Sequence, residues 1–399
     1  MRAGSDKLFL SSEIHCGRAA FDQLRQEWEA AVQRAHQPSL FVTPVFTELS
    51  WQHFSQPSDE PWLVTVRDAT GELVGLLPLA LCLERRHRFP LKVLRHIGAW
   101  SGDRPGVLHL VEAWQVWQAA LSALLLRQPE WHQLDLREID VQDLPAAAML
   151  QVVSHLSVSA RPDTYSGVLP VTGTWDDYFQ SRSKNTRQAY RRSERLLAEA
   201  CPGVHIEVTD SAADIGAAFE RYIAIEQLGW KSGAKVGLWA DQREADFHRS
   251  LLPRLAQTGQ ASVWMLRSGT RDIAGLVRLR QGGTTYERYS TYDPEFARCS
   301  PGTWLCMEAV RQLFGTDCTR SDALGLHEPL ANRPAIGAWY DIEQRTCRLV
   351  ATREIHGLRL YRQSRQAFDA LRTMPASRWQ RVGVGVGAAA VATALTVMN

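Results

Sequence analysis

The strongest constraint on the fold of this chain is a segment that occurs twice, two hundred residues apart. Leu63-Val64-Thr65-Val66-Arg67, the turn Asp68-Ala69-Thr70-Gly71-Glu72 and Leu73-Val74-Gly75-Leu76-Leu77-Pro78-Leu79 read as strand, turn and returning strand. Val263-Trp264-Met265-Leu266-Arg267, Ser268-Gly269-Thr270-Arg271-Asp272 and Ile273-Ala274-Gly275-Leu276-Val277-Arg278-Leu279 repeat that layout. Hairpins share turn chemistry, so one match says little. The surroundings match too: a helix-rich stretch precedes each hairpin, and further strand and an amphipathic helix follow. That helix runs from Ala113 to Leu126 in the first half and from Thr303 to Phe314 in the second. The expected fold class is α/β (α+β), with two related domains in tandem.

The junction is expected between Ser159 and Thr174, where Arg161-Pro162-Asp163 and Pro170 interrupt periodicity. This gives domains at 1–165 and 166–375 and an apolar tail at 376–399. A net charge of +2 over 399 residues argues against a nucleic-acid binder as a whole, and DNA is not an expected partner. The seven cysteines form no CxxC pair, and no His/Cys cluster has metal-ligand spacing, so no metal is expected and the thiols read as reduced and cytosolic. The N-terminus lacks the apolar run of a secretory signal. Val382 to Met398 is uncharged and follows Arg378, Trp379 and Arg381. It reads as either a frayed tail or a membrane-touching segment, so the expected location is cytoplasmic, with membrane association through 382–399 as the other option.

The second hairpin leads into the most chemically informative stretch. Thr284, Tyr286, Arg288 and Ser290 alternate at strand period up to Tyr292-Asp293, and Ser300-Pro301-Gly302-Thr303 follows. Ser300 suits an N-cap and Pro301 the first helical position, while Gly302 leaves the backbone uncovered. Either this is an ordinary capped helix, or its free N–H groups and positive dipole end receive an anion. Upstream, Thr174 caps a helix with Asp176 and Asp177 in its first turn. The same helix is expected to continue through Arg182, Lys184, Arg187, Arg191, Arg192 and Arg195. That basic run is either a solvated face or a phosphate-binding edge.

Several segments, in order, resemble the bacterial GNAT-superfamily acyltransferases grouped as BioF2-like or CelD-like, relatives of the tandem-GNAT FemAB-type proteins. They are Ser183-Lys184 with Arg187, Arg191 and Arg192; Glu226 with Gly229-Trp230-Lys231; Ala274-Gly275; and Tyr292-Asp293 leading to Ser300-Pro301-Gly302. Looser likenesses in the first half are Phe41-Val42-Thr43-Pro44, Trp51, Pro61-Trp62 and Gly75-Leu76-Leu77-Pro78-Leu79. The resemblance implies tandem GNAT-like domains, each a mixed, mainly antiparallel sheet flanked by helices. It implies acyl-CoA, acetyl-CoA above all, as cosubstrate, with Tyr292, Ser300, Gly302, Thr303 and Trp304 around it and the pyrophosphate on the amides from Gly302 to Leu305. A backbone N–H near Thr291 or Tyr292 would polarise the thioester carbonyl. The first domain would be one wall of an acceptor cleft, without a comparable Ser-Pro-Gly helix start.

The acid–base residue is left open among Glu226, Asp293 and Asp322, and Asp293 reads equally as a turn residue before Pro294. Lys184, Arg187, Trp230, Lys231 and Tyr289 are the acceptor-binding candidates. Two departures are noted: Tyr289 stands where many relatives carry lysine, and Arg333 is the only stand-in for a later Trp-Lys or Tyr-Lys pair. The leading expectation is acyl transfer to an amine or hydroxyl of a sugar, cell-envelope or exopolysaccharide precursor. The alternatives are aminoacyl transfer from tRNA, or a non-catalytic partner of a polysaccharide-synthesis complex tethered by its tail.

Overall fold

The computed structural model describes residues 9–86, 89–143, 156–229, 237–326, 328–333 and 337–353. The first half runs β1 (Ser11–Cys16), α1 (Ala19–Arg34), α2 (Pro44–Phe54), β2 (Glu60–Arg67), β3 (Leu73–Arg86), β4 (Phe89–His96), β5 (Leu108–His109), α3 (Ala113–Leu126), β6 (Gln133–Asp140) and β7 (Leu156–Pro170). Helices α4 (Trp175–Ser181) and α5 (Lys184–Ala200) lead to the second half. It runs β8 (His205–Thr209), α6 (Ile215–Leu228), α7 (Gln242–Ala256), β9 (Ala261–Ser268), β10 (Arg271–Gln281), β11 (Thr284–Tyr292), α8 (Pro301–Arg311), β12 (Arg320–Asp322) and β13 (Ile342–Arg353). Apart from β5, the two halves share one order of elements, as the hairpin repeat implies.

All the described strands join one sheet of order β1-β2-β3-β4-β6-β13-β7-β12-β11-β10-β9-β8, with β5 on β3. The halves exchange their last strands. β13 of the second half lies antiparallel between β6 and β7, and β7 of the first half pairs with β12. The segment where a junction was expected is therefore a strand, and position 165 falls inside it. Pro162 sits where the β7–β13 register shifts, the kind of site at which a strand tolerates proline.

Alternation and helix periodicity place the cores. Trp62, Val64, Leu77 and Leu79 meet Val116, Trp117 and Leu121 of α3 on one face of the first half; Leu63 and Leu76 meet Phe21, Leu24 and Trp28 of α1 on the other. The halves also interlock. Phe41 and Phe46 of the first half enter the core under α6 and α7, within 5.3 Å of the Tyr286 ring and 5.2 Å of the Phe247 ring respectively.

Three local expectations are corrected. The two hairpins differ in register by one residue, Val66 facing Gly75 but Met265 facing Gly275, because residues 68–72 form the first turn and only residues 269–270 the second. The Thr174 helix stops at Ser181; Ser183 caps a new helix by accepting from the Thr186 amide. The alternation of Thr284, Tyr286, Arg288 and Ser290 is broken by a bulge: Val277 pairs with Tyr289 and Arg278 with Glu287, leaving Arg288 without a partner on β10.

Because β13 completes the first half's sheet, both halves should unfold as one unit. Leu349 on β13 is 2% exposed, and Leu349→Ala should cost about 2–5 kcal/mol. Urea unfolding followed by fluorescence and circular dichroism is expected to show a single transition at lower urea. Two separate transitions would mean that the exchanged strands do not couple the halves.

Candidate functional site

The site is set by how β11 leaves its neighbour. β12 runs parallel to β11 only along Thr284–Tyr286, and beyond that β11 is held by β10 alone. The Asp293 amide donates to Ile273 O on the β10 side. By strand alternation, the amides of Ser290 and Tyr292 then point into the gap.

Helix α8 begins beside that gap. Ser300 occupies the N-cap position in left-handed conformation (φ 50°, ψ 48°), and its side chain makes no capping bond. The expected side-chain cap is thus replaced by a backbone turn, which aims the start of the helix at the strand end. The Trp304 amide is taken by Ser300 O at 3.1 Å, and Leu305 lies far enough in for an intrahelical bond. With proline at 301, the free donors narrow to the amides of Gly302 and Thr303, which have no partner among the described residues. A Cβ at Gly302 would come within 3.2 Å of the Tyr292 ring.

Gly229, Arg288, Tyr289, Ser290, Thr291, Tyr292, Gly302, Thr303 and Arg333 line a cavity of about 340 Å³ there. Tyr292, Gly302 and Thr303, predicted around the cosubstrate, and Tyr289, predicted for the acceptor, are thus brought to one cavity. Among the described residues no carboxylate lines this cavity. The Arg333 guanidinium is exposed and has no partner among the described residues, so it joins two free amides in giving the cavity a positive lining.

Arg288, also part of the wall, is neutralised from behind. The bulge sets it beside Tyr289, with the guanidinium 4.6 Å from that ring. It bonds Asp103 at 2.6 Å and the Ser101 carbonyl, both from the first half, and approaches Glu244 of α7 at 3.4 Å. Asp103 also accepts from the Gly325 amide at 3.1 Å. Sequence reasoning assigned Asp103 no role and missed Glu244, because charge pairs across distant segments leave no local spacing.

The Arg288–Asp103 pair stands between this cavity and a larger one of about 820 Å³, which both halves line. Asp103, Arg104, Glu138, Tyr286, Arg320, Asp322 and Gln344 are among its walls. Of the five described non-glycine residues at positive φ, Gln37, Arg104 and Glu138 border this cavity, and backbone strain of that kind gathers at functional sites. Burial and the nearby Asp103 charge push the Glu138 carboxyl up to about 7. Arg104-Pro105-Gly106 shares with the Ser300 turn a positive-φ residue before Pro-Gly, but it leads into β5, and α3 starts only at Ala113, so it is not a comparable helix start.

The remaining predicted residues lie apart from the small cavity. Asp322 is buried; it accepts from Ser166, Arg104, Arg320 and the Leu324 amide. Burial works against its charge, but Arg104 and Arg320 outweigh it and hold the carboxyl below its ordinary value. Glu226 is fully buried and accepts from the Trp239 amide at 3.1 Å; Gly237 (φ +100°) packs over its carboxylate, where a Cβ would lie 2.7 Å away. Asp293 caps the following turn at the Glu295 amide and pairs with Arg271 at 2.6 Å. Arg187 donates to the carbonyls of Gln180 and Arg182 across the α4–α5 turn, whereas Lys184 is exposed. Trp304 packs into the cores beneath α8. Trp230, Lys231 and the 382–399 tail lie outside the described residues. Among the described residues no helix is long and apolar enough to cross a membrane.

Residues 184–330 match the family described as an acetyltransferase (GNAT) domain. Among solved structures, the chain is similar in fold to FemX (TM-score 0.57, 11% identity, covering 82% of this chain and 95% of that one). It is also similar to a conserved protein of unknown function from Bacteroides thetaiotaomicron (0.54, 8%, 83% and 97%). A third likeness is to the C-terminal domain of a putative lysylphosphatidylglycerol synthetase from Agrobacterium fabrum (0.51, 10%, 84% and 93%). No curated protein matches the chain at a significant level. Residues 184–330 are thus similar to a GNAT acetyltransferase domain, within a mixed α/β fold whose two similarly ordered halves share one sheet.

Removing the buried cation tests the inter-half joint. Arg288→Met should lower the unfolding free energy by about 3–5 kcal/mol, because Asp103 is left buried without its counter-ion. Adding Asp103→Asn should recover part of that loss in urea titrations. A loss below about 1 kcal/mol would show that the pair does not carry the joint.

Proposed function

We propose that the chain transfers an acetyl or other acyl group from acyl-CoA to an amine or hydroxyl of a sugar, cell-envelope or exopolysaccharide precursor. The narrower kinship with BioF2-like or CelD-like proteins belongs to this proposal. The observation that carries it is the positive lining of the small cavity at the splayed end of β11: two amides at the start of α8 and Arg333, none with a partner among the described residues. A helix start with free amides receives phosphate without further device. Gly302, which offers no side chain between its amide and a ligand, fits a pyrophosphate. The Tyr292 amide, pointing into the gap, is placed to polarise a thioester carbonyl. The acceptor approaches through the larger cavity, across the Arg288–Asp103 partition.

Gly302→Val is expected to weaken acetyl-CoA binding about 5- to 150-fold, the equivalent of ~1–3 kcal/mol for amides deprived of their partner. Arg333→Ala should weaken it in the same direction. S-acetylpantetheine has no phosphate, so neither change should alter its affinity in calorimetry. Equal losses for both ligands, or none for acetyl-CoA, would refute the phosphate assignment.

One observation favours aminoacyl transfer from tRNA instead. Helix α5 exposes Lys184, Arg191, Arg192 and Arg195 along its length. Phosphate contacts release counterions, so binding through this face should fall steeply between about 50 and 200 mM salt. In filter binding, charge reversal at Arg192 should flatten that slope; tRNA binding that ignores both salt and charge reversal would exclude this face.

A further inference from the structure

Glu244, in the first turn of α7, has no part in the donor site described above. Its Oε1 accepts from three groups on two other elements: the Tyr289 hydroxyl at 2.9 Å, the Ser101 hydroxyl at 2.6 Å and Arg288 at 3.4 Å. Its side chain is only 16% exposed, although a carboxylate in a first helical turn ordinarily faces water. Asp241 already caps this helix by accepting from the Glu244 amide, so capping does not explain the Glu244 side chain. His248, one turn on, meets the Tyr289 ring edge-on at 5.1 Å and closes the far side. Burial and the Arg288 charge push its imidazole down to about 3, which leaves it neutral. Tyr289 therefore stands between the small cavity, which it lines, and a buried carboxylate anchored from the first half.

We propose that Tyr289 and Glu244 form the proton-transfer pair of the site, with Tyr289 acting on the nucleophile and Glu244, held by Ser101 and Arg288, acting through Tyr289. This rests on the acyl-transfer reading. As the acceptor nitrogen or oxygen bonds to the acyl carbon, its N–H or O–H breaks and the proton goes to Tyr289 Oη. The proton already on Tyr289 passes to Glu244 Oε1. The C–S electron pair leaves with the CoA sulfur, and Glu244 returns its proton through Tyr289 to that thiolate, restoring the pair.

The environment suits a base. Burial raises the Glu244 carboxyl above its ordinary value, with Arg288, Ser101 and Tyr289 pulling it back. The charged and titratable groups facing it are Arg288 and Tyr289 from β11, Asp103 behind Arg288, and Asp241 and His248 on its own helix. A base with a raised value loses its function as pH falls through that value, so the acid limb of activity should lie above the ordinary carboxylate range. The first half then contributes chemistry as well as a wall, since Ser101 orients the carboxylate.

The test uses the full chain, acetyl-CoA as donor and water as nucleophile, with thiol release followed at saturating acetyl-CoA and binding followed by calorimetry. Bound acetyl-CoA should hydrolyse faster than free acetyl-CoA. Glu244→Gln, which preserves the hydrogen-bond acceptor, should leave the acetyl-CoA Kd within about twofold, lower kcat roughly 100-fold and abolish the acid limb. Tyr289→Phe should give a similar loss, and combining the two should add nothing, as for groups that act as a unit. If Glu244→Gln does not fold, Tyr289→Phe decides alone. Three results would overturn the pair: a kcat within about twofold of the parent with an unchanged pH profile, losses that multiply in the double variant, or binding with no acceleration over solution. Failure of the parent chain to bind acetyl-CoA at all would refute the donor reading instead.

Discussion

The arrangement depends on one buried cation. Arg288 is the extra residue of a bulge, so its guanidinium turns to the same side as Tyr289 and meets the first half at Asp103 and Ser101. Burying a guanidinium costs several kcal/mol unless its partners are close and directional. Here they come from β11's own neighbour ring, a loop of the first half and a helix of the second, so the charge is stable only when all three are in place. The bulge also ends regular pairing near the point where β12 diverges. One unpaired residue thus helps to open the gap, fixes Tyr289 on its wall and joins the halves behind it.

The exchanged strands explain why this geometry holds in a chain of two similar halves. β13 and β7 tie each sheet into the other, and Phe41 and Phe46 are buried in the second half's core. The halves then differ where it matters. Leu108 and His109 of β5 pair with Leu76 and Gly75 of β3, the places where Ser290 and Thr291 of β11 face Leu276 and Gly275. In the second half the left-handed Ser300 leads straight into a helix. In the first half Arg104-Pro105-Gly106 leads into β5, and the helix start lies seven residues further on, at Ala113. A helix start therefore presents bare amides to a gap in the second half only, among the described residues.

Much of this was legible in the sequence where the physics is local. Hairpin periodicity showed the duplication, and Ser300-Pro301-Gly302 marked the start of a helix. Its mechanism was misjudged, because a left-handed backbone at serine leaves no residue pattern distinct from a side-chain cap. The strand exchange was hidden: β7 carries Arg161-Pro162-Asp163, which reads as a linker until its pairing with β13 is seen. Glu244 was hidden too, since Asp241-Gln242-Arg243-Glu244 has the spacing of a helix start, and its hydrogen bonds to Ser101 and Tyr289 span 143 and 45 residues. Glu226 and Asp293 were visible as carboxylates, but their amide contacts are those of residues that hold loops in place.

The central claim is that the start of α8 receives the pyrophosphate of an acyl-CoA at the splayed end of β11. A crystal structure of the full chain with coenzyme A tests it most directly. The account predicts pyrophosphate oxygens within hydrogen-bond distance of the Gly302 and Thr303 amides, with the pantetheine arm running between β11 and β12. Coenzyme A bound elsewhere, with those two amides left to water, would contradict it.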